Sequence, residues 1–185
     1  MARWFSIKPA LTFKGRKFKG IRGFAGKPTH PPLTDIPIGA YVMAAVFDII
    51  ALLATDGSET AHNFFIAGTY VLAFGAIVSV PTALTGFWDW LKSTPKHTQA
   101  RRTANTHMAI MLTVTTIVVV DLIVRWGDDL PTTLPVVLSV VVGGLVALGA
   151  TYGGSLVYDY GFNIETSGDH PVWHESETDV YPGDH

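Results

Sequence analysis

The chain has 185 residues, 48% of them hydrophobic and only 15% charged, with mean hydropathy +0.31, which excludes an ordinary water-soluble domain. It contains no cysteine, so disulfides, thiolate-bound zinc and iron–sulfur clusters are excluded, and any metal or haem must be held by His, Met, Tyr or carboxylate. The net charge is only −2, yet the charges are segregated to opposite ends.

Residues 1–30 carry eight of the thirteen basic residues and no acid. Trp4, Phe5, Phe13, Phe18 and Phe24 are interleaved with them, a pattern that suits a basic arm lying on an anionic membrane surface and setting topology. A nucleic-acid partner is not expected, because an arm tethered at a bilayer meets lipid first. No short apolar run with a small-residue cleavage site follows the basic residues, so no signal peptide is expected.

Four apolar runs follow, near 36–55, 64–91, 104–126 and 134–158, each long enough to cross a hydrocarbon core of about 30 Å. The predicted fold is therefore all-α, a transmembrane four-helix antiparallel bundle over 31–162, with an acidic tail over 163–185. Pro81 predicts a kink or tilt in the long second span. Four more basic residues (Lys92, Lys96, Arg101, Arg102) lie between the second and third spans, whereas the other two loops carry Asp56, Glu59, Asp128 and Asp129. By the positive-inside rule both termini are cytoplasmic. Trp88, Trp90 and Trp126 fit aromatic belts at the two interfaces.

Small residues predict the helix contacts. On the second span Gly75, Ser79, Thr82, Gly86 and Asp89 recur at helical spacing; on the fourth, Gly143, Ala147, Ala150, Gly154 and the pair Gly149-x-x-x-Gly153 do so. No internal repeat among the spans is evident. The third span carries the most polar stripe: His107, Met111, Val114, Val118, Asp121 and Arg125 fall on one face at 100° per residue.

Two groups of polar residues need a reason in lipid. Asp48 falls past the bilayer middle, so it is either a neutral acid or has a partner such as a helix hydroxyl or Arg125. Asp121 and Arg125 are spaced as a local i, i+4 ion pair near the outer interface. At the cytoplasmic end His30, Asp35, Asp89, Arg101, Arg102 and His107 project from helix ends at similar depth, with Tyr158 and Asp159 nearby. Two histidines from different segments are what a bis-imidazole haem b or a His/carboxylate metal site requires; the alternative is a structural network in which His107 bonds Asp89. In the haem version His30 and His107 are the axial ligands, Arg101 and Arg102 serve the propionates and Asp89 supports them. Nothing resembles a Walker loop, a G-x-S-x-G elbow, an H-E-x-x-H pair or a dinucleotide fingerprint, so hydrolytic catalysis is not expected and the reading leans away from an enzyme.

The order of His30-Pro31, Leu33, Pro37-Ile38-Gly39 and Asp48, then Pro81, Thr85-Gly86 and Asp89, then Arg102 and His107, then Gly154-x-Leu156-Val157-Tyr158-x-Tyr160-Gly161, resembles the bacterial membrane family catalogued as domain of unknown function 2231. The resemblance spans roughly 26–162. It implies a membrane bundle without an assigned activity; some members look fused to a Rieske-type iron–sulfur domain, which implies association with membrane electron transfer. Here that centre would have to come from a separate protein. Three functions remain open: a redox-associated or accessory subunit of a respiratory or other membrane complex, a small proton or cation transporter using Asp48 and Asp121, or a purely structural accessory subunit. An oligomer is compatible with each.

Overall fold

The computed structural model describes residues 28–162 together with Gly20, Ile21, Gly23 and Ile164. The expected basic arm and acidic tail lie almost wholly outside the described residues. Within them the chain forms four helices, α1 (His30–Leu53), α2 (Glu59–Ser93), α3 (Gln99–Arg125) and α4 (Thr133–Tyr158). All four are candidate spans with mean hydropathy between 1.9 and 2.2.

The helices start where the local chemistry allows. Pro31 and Pro32 open α1, where a missing N–H costs nothing, so the helix begins six residues before the apolar run. Pro37 lies inside α1 and leaves the Leu33 carbonyl without its helical donor; the Thr82 hydroxyl of α2 reaches that carbonyl at 3.5 Å. Ser58 caps α2 by accepting from Ala61 N–H at 3.2 Å, and Thr98 caps α3 by accepting from Arg101 N–H at 3.1 Å. With 35 residues, α2 is about 52 Å long and overshoots the hydrocarbon core.

Each helix packs mainly on its sequence neighbour: α1 on α2, and α3 on α4. The seam between α1 and α4 is closer than that between α2 and α3, and α1 stands diagonally across from α3. The core is a thin column of Tyr41, Ala44, Leu72, Val114, Val118, Val142 and Val146. Outward, Tyr70, Phe74, Ile77, Val80 and Leu84 of α2 and Ile123 of α3 are exposed. Such a continuous apolar exterior fits lipid as the surrounding solvent.

The two hairpins bury corresponding positions. His30 and His107 are 77 residues apart, and so are Asp48 and Arg125. The same offset pairs Pro37 with Val114, Tyr41 with Val118 and Ala44 with Asp121, all buried. A second constant offset pairs Gly68 with Pro135, Leu72 with Ser139, Gly75 with Val142, Ser79 with Val146 and Thr82 with Gly149, again all buried. The bundle is thus two similarly built hairpins about an axis along the membrane normal, a repeat that residue identity does not reveal.

One helix face differs from expectation. On α4 the buried positions are Pro135, Val136, Ser139, Val142, Val146 and Gly149, whereas Ala147 of the anticipated stripe is exposed. The contacts of Gly149 and Gly153 with α3 side chains set this rotation.

Candidate functional site

The two histidines occupy equivalent seats at one end of the bundle. His30, in the first turn of α1, lays its imidazole on Gly86 of α2; a Cβ there would meet His30 Cε1 at 2.6 Å. His107 of α3 lays its ring on Gly153 of α4, where a Cβ would meet His107 Cε1 at 3.1 Å. Each ring donates Nδ1–H to the carbonyl one turn before its glycine, His30 to Thr82 O at 3.0 Å and His107 to Gly149 O at 2.8 Å. A carbonyl only accepts, so Nδ1 carries the proton and, in a neutral ring, the lone pair stands on Nε2.

The two rings lie at the same end of the bundle, His30 on α1 and His107 on the diagonally placed α3. Neither Nε2 has a hydrogen-bond partner among the described residues. Among those residues no group of three or more His, Cys, Asp or Glu converges on a common point. The donor set is therefore two oriented imidazoles. Imidazole nitrogens of this kind are ligands that could hold a haem iron, were one bound between them.

The rest of the anticipated cluster divides. Asp89 is buried and accepts from Ile21 N–H at 3.3 Å, while the Ile21 carbonyl accepts from Thr29 N–H at 3.1 Å, so it anchors the approach to α1. His107 bonds the Gly149 carbonyl and not Asp89, because its ring is turned toward α4. Arg101 stacks on Trp90 at 3.5 Å from the ring centroid and donates to Trp90 O at 2.6 Å and Thr94 O at 3.1 Å. Trp90 Nε1–H donates in turn to Asn105 Oδ1 at 2.8 Å. Arg101 and Arg102 line an open concavity at the α2–α3 turn with Lys96 and His97, not a pocket around the imidazoles. Asp35 is exposed, since five residues of helix rotate it well away from the His30 face. Tyr158 is also exposed, outside the cluster.

The second polar site lies at the other end of the bundle, about 27 Å along α1 from His30. Arg125 is wholly buried and uses its guanidinium fork fully. Its Nε–H donates to Asp121 Oδ1 at 2.9 Å, Nη1 to Asp48 Oδ1 at 3.2 Å and to Thr69 Oγ1 at 3.3 Å. Nη2 reaches Asp48 Oδ2 at 2.5 Å, Asp121 Oδ2 at 3.3 Å and Pro135 O at 3.4 Å. Asp48 and Asp121 have no exposed surface either, and the Phe65 ring lies 5.0 Å from the guanidinium carbon. The expected i, i+4 pair exists, yet it is no interfacial cap: α3 turns Arg125 inward, where it ties all four helices together.

A family model described as "Predicted membrane protein (DUF2231)" matches residues 26–166, a span that contains all four helices. The chain belongs to this family, domain of unknown function 2231. No curated protein and no solved structure is significantly similar to the chain. Both the imidazole pair and the Arg125 cluster fall inside the part matched by the DUF2231 model, so each is built on the domain itself and neither on the flanking arms.

Proposed function

We propose that the His30–His107 end of this DUF2231 bundle is a two-ligand site for a non-covalently held haem b, and that the protein serves membrane electron transfer as a redox-associated subunit. The observation that carries the reading is the duplicated seat. Both imidazoles have Nδ1 tethered to a helix carbonyl, a ring face resting on glycine, and Nε2 left to ligate. A haem so held would supply one-electron transfer. The chain's own residues orient the rings, fix the tautomer and exclude lipid from one side of each imidazole.

The loop beside the imidazoles carries Lys92, Lys96, Arg101 and Arg102, and the opposite loops carry acids, which supports placing the His end on the cytoplasmic side. Because the chain lacks cysteine, single Lys96→Cys and Asp128→Cys variants should label from opposite sides of intact cells or vesicles. An iron–sulfur partner in a larger redox complex suits the reading, since this chain cannot bind such a cluster through thiolates.

The decisive measurement is an absorption spectrum of the purified chain, before and after reconstitution with haem. One haem per chain, with a Soret band and reduced-state bands lost in His30→Ala and His107→Ala, is the expected result. A chain that takes up no haem, or takes it up equally in both variants, refutes the proposal. Carriage of protons or cations on freely exchanging Asp48 and Asp121 has less support, because Arg125 holds both carboxylates. A purely structural role predicts wild-type behaviour of the complex after His107→Ala.

A further inference from the structure

The Arg125 cluster sets one guanidinium against two carboxylates, with none of the three side chains exposed. Its other neighbours are neutral: the Thr69 hydroxyl and Phe65 ring of α2, and the Pro135 carbonyl of α4. Among the described residues no Lys, His or second Arg bonds either acid. The histidine of α2, His62, is engaged with the Asp129 carbonyl at 2.9 Å, toward the loop. If both aspartates were ionised, one negative charge would remain uncompensated inside a lipid-covered bundle. Buried carboxylates in that position take up a proton rather than stay charged.

The two acids are not held alike. Each oxygen of Asp48 receives its own guanidinium N–H, from Nη1 and from Nη2, a two-pronged pairing that favours the carboxylate. Asp121 keeps one good bond, from Nε to Oδ1, while its Oδ2 has only a 3.3 Å share of Nη2, which also serves Asp48 and the Pro135 carbonyl. We infer that the Asp48–Arg125–Asp121 cluster is a proton-binding site, with the Asp48 carboxyl paired two-pronged to Arg125 and one proton held on the Asp121 carboxyl. A metal cation suits the site poorly, because each of the four carboxylate oxygens already accepts from Arg125 and such ions need several free oxygens. The inference is independent of the haem site at the other end.

Infrared spectroscopy and thermal unfolding of the full chain in lipid nanodiscs test it at neutral pH. A protonated-carboxyl C=O band that shifts on deuterium exchange is expected in the wild type and should be lost in Asp121→Asn. Asparagine resembles a protonated aspartate, so Asp121→Asn should melt close to the wild type, whereas Asp48→Asn, which breaks the two-pronged pairing with Arg125, should melt clearly lower. Three results overturn the inference: a band unchanged by Asp121→Asn, an Asp121→Asn protein that fails to fold or melts as low as Asp48→Asn, or a wild-type melting temperature raised by sodium at fixed ionic strength. The last assigns the site to a cation.

Discussion

The imidazole of His30 rests on Gly86 so closely that a methyl group added at position 86 would lie 2.6 Å from His30 Cε1. Gly86→Ala must therefore push the ring off its seat and break the bond to Thr82 O. Gly153→Ala meets His107 at 3.1 Å, a contact that a shift of a few tenths of an ångström relieves. Haem titration should rank the two: affinity falls by about tenfold or more in Gly86→Ala, equivalent to about 1.4 kcal/mol, and by less in Gly153→Ala.

Arg125 offers a stability test. Arg125→Met strands two buried aspartates without their donor, and breaking a buried pair on one side costs roughly 3–5 kcal/mol. Arg125→Lys should recover only part of this, because an ammonium cannot reproduce the fork that reaches both acids. Replacing all three residues by apolar ones of similar size should restore most of the loss. Denaturant or detergent unfolding of each variant measures the order.

Much of this fold is legible in the chain, and the reasons differ by element. Spans read clearly because hydropathy in lipid is one-dimensional. The α2 stripe reads correctly since Gly75, Ser79 and Thr82 stand among bulky residues, whereas α4 has small residues on several faces and Ala147 points outward. The start of α1 is hidden by two prolines that look like a loop and serve as a first turn. For the candidate site, the histidines and the i, i+4 pair are visible in sequence. The carbonyl partners of His30 and His107 are not, because backbone acceptors leave no mark on residue type. Asp35 and the loop arginines share the depth of the histidines, but depth does not specify azimuth.

Tyr41 gives a smaller effect. Its hydroxyl and Ser79 Oγ are 2.7 Å apart in the middle of the core, and its ring lies where a Cβ on Gly75 would reach 2.8 Å. Tyr41→Phe removes one buried hydrogen bond and should cost roughly 1 kcal/mol. Gly75→Ala forces helix α2 away from α1 and should destabilise more. Thermal unfolding of the two variants side by side checks the ranking.

At the α2–α3 turn, Arg101 clamps the backbone of Trp90 and Thr94 while stacking on the indole. Arg101→Ala should loosen the turn without disturbing the spans. Limited trypsin digestion should then cut faster at the exposed Lys96, while the unfolding temperature changes little.

The equivalence of Asp48 and Arg125 has a consequence for how such a bundle can be assembled. Two identical hairpins meeting face to face would set acid against acid, or base against base, at that point and repel. Covalent fusion of the halves removes the constraint, since each copy can then diverge to the opposite sign. The ion pair is thus a lock that two identical halves cannot contain.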